Sequence, residues 1–305
     1  MLLKKGLAAF VELRTGSVSN STSDALVRIV AALPPVCHEL RTESVSGRPG
    51  GLQRWAAATP PADGVFDHAA ISINTCTDAM IAVYAEVIEA GMINSSTIFT
   101  LCRQGIESAL LARWLLSDTD PQRLIARGFL ARWHDLQEET DFFTNMSSAG
   151  AVEPSHVDPY RQKLARRHSE LIALGREHRL VRRDGQRWLP TEKFPSGRAL
   201  FGKVRGPEPH TDMRWLFNLL SGVAHGKAWA SLSTTRHEVV KEYLNVSELG
   251  VRAPSGVVLA RSNPSAETMV LPLQVMLLQA TDVLGKVRLV RAAPAPASFR
   301  ELNGR

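Results

Sequence analysis

Asn218, Ser221 and His225 lie three and four residues apart in the apolar stretch MRWLFNLLSGVAHGKAW, Met213 to Trp229. That spacing sets an amide, a hydroxyl and an imidazole along one stripe of a single helix. A polar group on a largely apolar helix must find a partner or cost roughly 1–3 kcal/mol, so the stripe is either a satisfied network or a site. A second stripe lies upstream. Arg103, Glu107 and Trp114 share one helical face at spacings of four and seven. Arg103 and Glu107 can form an i,i+4 ion pair, and Arg113 follows on an adjacent face. Brought face to face, the two stripes would support acid–base chemistry. His225 would be the base, Ser221 or a bound water the nucleophile, and Arg103 an electrostatic clamp on developing negative charge. The candidate catalytic set is therefore Arg103, Glu107, Asn218, Ser221 and His225. The same groups could instead fix the register of two helices as a buried polar network, which is the favoured reading.

The elements that must carry these stripes are helices. Apolar residues recur at helical spacing over Leu2–Arg14 and Ser23–Arg41, with Pro34 and Pro35 expected to break or kink the second. Thr42 to Gly64 is rich in Gly, Pro and Ser and reads as a linker or mobile crossing segment. Three helices are expected over Phe66–Ala90, Ser95–Leu116 and Pro121–Phe143. The third has an aspartate cap followed by proline at its first position. Their short connections favour an up–down arrangement. Asp158 to Val181 is a further amphipathic helix, and Leu180 to Leu189 a small hairpin turning at Asp184-Gly185. A short element over Pro195–Val204 precedes the Met213 helix. A short strand or two is expected near Val257–Ala260, and a last apolar helix spans Glu267–Arg288. The fold class is mainly α: an antiparallel helical bundle with a small hairpin or irregular insert. The division expected is N-terminal helices and linker over 1–64, a bundle domain over 65–291 and a disordered tail over 292–305.

Composition bounds the rest. The chain has 305 residues, 44% of them hydrophobic and 22% charged, which suffices for a sizeable core. The net charge is +6, mostly from an arginine excess spread along the chain. Its clearest concentration is the outer face of the Asp158 helix, through Arg161, Arg166, Arg167, Arg176 and Arg179, a surface compatible with nucleic acid. Cys37, Cys76 and Cys102 are far apart and form no C-x-x-C pair, which points to a reducing compartment. The N-terminus lacks the pattern of a secretory signal. No stretch reaches ~18 apolar residues without a charge. A cytoplasmic protein without a membrane association is expected, and self-association is compatible with it.

Other motifs are weak. Gly222-Val-Ala-His-Gly-Lys-Ala228 has one residue too few for a phosphate loop and follows a helix. His134 and Glu138 are one turn apart, with Asp135, Glu139 and Asp141 near, but no second pair completes a metal site. No metal or cofactor is expected.

Ile106–Leu116 (IESALLARWLL), Pro195–Phe201 (PSGRALF) and Leu219–Gly226 (LLSGVAHG) together resemble an uncharacterised family of helical actinobacterial proteins. These carry an Arg/Glu helix followed by an L-S-x-x-x-H-G helix. The resemblance covers about 65–290 and implies a soluble helical bundle without a known activity. A wider similarity is to HEPN-type helical bundles, many of which are ribonucleases that use an Arg and a His one to two turns apart on one helix. Arg127…His134, Arg161…His168 and Arg205…His210 have that spacing, with Arg127 and His134 the preferred pair, whereas His225 has no arginine so placed. The function expected is a helical protein acting through interactions. An RNA-directed nuclease of a defence or toxin system and a nucleic-acid-binding module are the alternatives.

Overall fold

Proline and aspartate at one end and αL residues at the other delimit the helices that matter most. In the computed structural model, which describes residues 20–45, 49–89, 95–149, 153–204, 212–227, 230, 235–239, 260–264 and 266–296, the chain is mainly α. It forms a helical bundle with a small hairpin. The helices are α1 (Asn20–Val45), α2 (Gly51–Ala57), α3 (Asp63–Tyr84), α4 (Ser95–Leu115), α5 (Pro121–Ser148) and α6 (Pro154–Glu177). After the hairpin β1 (Val181–Asp184) and β2 (Arg187–Pro190) come α7 (Gly197–Phe201) and α8 (Arg214–Ala224). A second antiparallel pair, β3 (Thr235–Val239) with β4 (Ala260–Pro264), precedes α9 (Ala266–Ala292). The expected N-terminal helix over Leu2–Arg14 and residues 297–305 of the expected tail lie outside the described residues, as do the segment Arg205…His210 and most of 231–262.

Three expectations are corrected. Pro34 and Pro35 do not break α1, which runs on past them. Leu26, Val30, Leu33, Cys37 and Leu40 form a continuous buried stripe through the proline turn, and its burial outweighs the ~3 kcal/mol cost of proline in a helix. Residues 49–62, expected as linker, are ordered. Leu52 and Ala56 of α2 are buried, and the Leu52 N–H donates to the Ala293 carbonyl at 3.2 Å. The helix of the polar stripe stops at Ala224, not near Trp229. Gly226 takes φ +63°, its N–H donates to Val223 and that of Lys227 donates to Gly222. This is a Schellman cap, which only an αL residue such as glycine closes without strain.

By contacts the chain divides into two units, each built from three segments. The first comprises 1–37, 77–106 and 201–278. Its core includes Leu26, Val30 and Leu33 of α1, Met80 and Val83 of α3, Phe99 and Cys102 of α4, Leu216 and Leu220 of α8, and Leu273 of α9. Gly105 permits a close approach, because a Cβ there would stand 3.4 Å from the Ala79 Cβ and 2.5 Å from the Met276 Sδ.

The second unit comprises 38–76, 107–200 and 279–305. Asp120 caps α5 through the Gln122 N–H, with Pro121 in its first turn, as expected. Phe143 meets Tyr160, Glu139 meets Arg167 and Trp133 meets His168. One number rises as the other falls, so α5 and α6 are antiparallel. Asp63 pairs with Arg132, and His68 lies 3.4 Å from Asp135. Here both numbers rise together, so α3 and α5 are parallel, as an up–down–up order requires. Phe129, Leu130, Trp133, Leu136, Leu164 and Leu171 form the core of the α5–α6 pair, and Leu180, Val181 and Phe194 pack against it. The hairpin pairs Asp184 with Arg187, so its loop is Gly185-Gln186. Gly185 has φ +59°, the type II′ requirement of a glycine at the first loop position. Asp184 is thus the last strand residue and not a turn residue.

Two helical stretches, Asp63–Glu89 and Thr268–Ala292, are long and apolar enough to cross a membrane by length and composition. About half of each apolar window is buried against protein (44% and 50%), which core helices of a folded bundle also show.

Candidate functional site

The polar stripe of α8 is amphipathic in the expected sense but is not a sealed network. Leu216, Leu220 and Val223 are buried, whereas Asn218 and His225 are exposed and Ser221 is half-buried. His225 caps the helix, its backbone N–H bonded to the Ser221 carbonyl at 3.0 Å. Within the first unit, Arg103 Nη1 of α4 lies 3.5 Å from His225 Nε2, and its guanidinium carbon is 5.5 Å from the centre of the Phe217 ring. Phe217 in turn meets Phe201 at 5.3 Å. Of the candidate set, the structure thus brings Arg103 and His225 together. Their contact is at the limit of a hydrogen bond and requires the imidazole to accept on Nε2. Glu107 belongs to the second unit. Neither of the two cavities described below is lined by Asn218, Ser221 or His225.

Trp114, on the second unit's part of α4, packs edge-on against Phe194 and carries Arg127 over its ring at 5.6 Å. Arg127 also reaches Asp118 at 3.5 Å and the Leu115 carbonyl at 3.5 Å. His134 lies against Phe194 at 4.2 Å. The preferred Arg127…His134 pair is thus engaged in packing the start of α5. Arg113 donates to Gln279 at 2.8 Å and pairs with Asp282 at 3.2 Å. All three cysteines are buried, and none is in a disulfide. Burial pushes the Cys102 thiol far up, leaving it a small hydrophobe.

A larger feature lies in the second unit. α5, α6 and the hairpin enclose a groove of about 780 Å³. Trp133, Phe143 and Trp188 give it aromatic surface, and Arg161 and Arg187 give it cations. Gln137, Thr140, Thr144, Ser169 and Gln186 add uncharged polar groups; Asp141 is its carboxylate. From α6 the lining residues are Arg161, Leu164, Ala165, His168, Ser169 and Ile172, one helical face. His168 rests on Trp133 at 4.8 Å, and its partial burial lowers the imidazole pKa below the ordinary 6.5. At one rim Phe143 stacks on Tyr160 at 5.1 Å and 15°, with Tyr160 and Phe142 exposed. At the hairpin, Arg176 covers the Trp188 ring at 5.1 Å.

The charge around this groove is concentrated. Between Pro154 and Pro190 stand eight arginines and one lysine against four carboxylates. Five of the six net positive charges therefore fall on α6 and the hairpin, which corrects the expectation of an even spread. Arg161, Lys163, Arg166, Arg176, Arg179, Arg182, Arg183 and Arg187 are exposed, and Arg167 is half-buried on Glu139 at 2.5 Å. The pairs Arg161–Asp158 at 3.5 Å and Arg166–Glu170 at 3.7 Å are exposed and so weak.

A second, more polar pocket of about 420 Å³ is lined by His68, Arg132, Asp135, Arg167 and Glu170 among others. Arg132 is paired with Asp63 and Arg167 with Glu139. The groove was not foreseen as a unit, although Arg161, Arg167, Arg176 and His168 each stood out in the sequence. Its aromatic rings come from two elements far apart in the sequence, Trp133 and Phe143 from α5 and Trp188 from β2. Compared with protein-family models, with curated proteins and with solved structures, the chain has no match.

Proposed function

We propose that this protein acts through an interaction surface, and that the surface is the α6–hairpin face with nucleic acid as its partner. The observation that carries this reading is the concentration of nine cations against four carboxylates over Pro154–Pro190, most of them exposed, with Arg161 and Arg187 lining a groove that also holds aromatic rings. Cations on such a face release the counterions condensed along a phosphate backbone, which makes binding favourable and strongly salt-dependent. The reading is tested by titrating labelled single-stranded and duplex oligonucleotides at about 50 mM salt and again at about 200 mM. Binding at the lower salt that weakens steeply at the higher is expected. No binding to either at the lower salt would sink it.

A second reading, an RNA-directed nuclease of the kind HEPN-type bundles suggest, is favoured by one observation. Arg161 and His168, six residues between them on α6, line the same groove. The lowered pKa leaves His168 neutral at neutral pH, the state a general base needs. Incubation with single-stranded RNA checks it: cleavage lost in His168→Ala supports the nuclease, and intact RNA leaves binding alone.

A further inference from the structure

Resting on the nucleic-acid reading above, we propose that the groove between α5, α6 and the hairpin takes unpaired bases of a single strand, stacked against Trp188 and Phe143, while Arg161 and Arg187 hold the flanking phosphates.

The volume sets the first limit. About 780 Å³ is the size of a small-ligand pocket; it admits one or two unstacked nucleotides and cannot admit a duplex. The lining sets the second. A face built only for phosphates would be uniformly cationic. This one alternates aromatic rings with two arginines and with neutral amides and hydroxyls such as Gln137 and Gln186. Every base offers a π-face, so aromatic platforms beside cations bind single strands with little regard to sequence. The architecture agrees. The α6 face that carries Arg161 also carries Leu164 and Ile172 and is turned into the groove, so it is not a free helix surface able to lie in a DNA major groove. Trp188 is held in place by the hairpin register opposite Arg183 and by Arg176 over its ring. A pre-positioned platform loses little freedom when a base lands on it. His168 and Asp141 are the remaining titratable groups of the lining. With His168 neutral, the balance of charge in the groove is set by two arginines against one carboxylate.

The test compares labelled oligouridylate and oligothymidylate with a duplex of equal length at matched salt, following both anisotropy and tryptophan fluorescence. Single strands are expected to bind at least about tenfold more tightly than the duplex and to quench the tryptophan emission. Trp188→Ala is expected to lose about tenfold in single-strand affinity, as removal of one stacking platform does, with the salt slope unchanged. Trp188→Phe should retain most of the affinity. A preference for the uridylate assigns RNA, and equal binding of the two assigns single strands of either sugar; both support the proposal. Circular dichroism checks that the variants fold, and quenching in the unaltered protein gives a readout that needs no variant. Duplex binding as tight as single-strand binding overturns the stacking proposal while leaving the nucleic-acid reading intact. So does an absence of quenching, or competition by polyglutamate as effective as by a single strand, which would put an acidic polypeptide in the groove. No binding of any nucleic acid overturns both.

Discussion

His168 shows how one side chain's surroundings fix what it can do. It lies on Trp133 in the wall of the groove, and burial holds its pKa below the ordinary imidazole value. The sign of the consequence follows from linkage. Well above about pH 6.5 the imidazole is neutral in both folded and unfolded chains and contributes no pH dependence. Below it the unfolded chain takes the proton first, so folding weakens as pH falls until the folded pKa is passed. His168→Gln should therefore flatten the loss of stability between about pH 7 and pH 5, measured as urea midpoints of the two proteins at each pH. Equal losses would mean that burial does not perturb this imidazole. At this scale the sequence was informative about kind and spacing but not about exposure. Arg103 and His225 could be paired on paper and do approach each other. That Asn218 is exposed, and that His225 caps a helix end, depends on where α8 stops and which face it buries. Arg127 and His134 looked equivalent to Arg161 and His168 by spacing. They differ because Trp114, Asp118 and Phe194, distant in sequence from one or both, close around the first pair.

The element that positions the groove is the join between α6 and the hairpin. The Leu180 N–H donates to the Gly175 carbonyl at 2.7 Å and that of Arg179 to Arg176 at 3.2 Å, a Schellman cap whose αL position is filled by Arg179 at φ +57°. A side chain with a Cβ is strained there, and glycine is the usual occupant. Arg179→Gly should stabilise the protein by about 1 kcal/mol, seen as a higher urea midpoint with the same slope. A fall in stability would show that the Arg179 side chain contributes more than its backbone strain costs. The join turns the chain sharply enough to lay Val181 on Phe129. Gly175 makes room, since a Cβ there would stand 2.7 Å from the Phe129 ring and 2.8 Å from Val181 Cγ1. Helices α3 to α6 were legible because apolar periodicity and a proline–aspartate start are local signals. α2 and the unbroken α1 were not. Glycine and proline dominate their local reading, and what overrides them is burial against residues far along the chain, Ala293 beside Leu52 for example.

For the whole molecule, what matters is where the charge sits and not how much there is. Outside Pro154–Pro190 the chain carries a net charge of only +1, while that stretch carries +5. A diffuse net charge attracts polyanions weakly and without a footprint; a patch engages discrete phosphates. The two cases separate by two sets of substitutions that change the total charge by the same amount. Neutralising the exposed Lys163, Arg166 and Arg182 to glutamine should lower single-strand affinity. It should also reduce the slope of log K against log salt by about 0.7 for each phosphate no longer neutralised, or about 2 if all three side chains hold a phosphate. Neutralising the exposed Arg28, Lys193 and Arg198 changes the net charge equally and should leave the slope within about 0.5 of its starting value. If both triple variants lose affinity alike, the attraction belongs to the net charge of the molecule. If only the first does, the α6–hairpin face is the footprint. Exposed single substitutions of this kind cost little stability, so a change in slope reports the surface and not the fold.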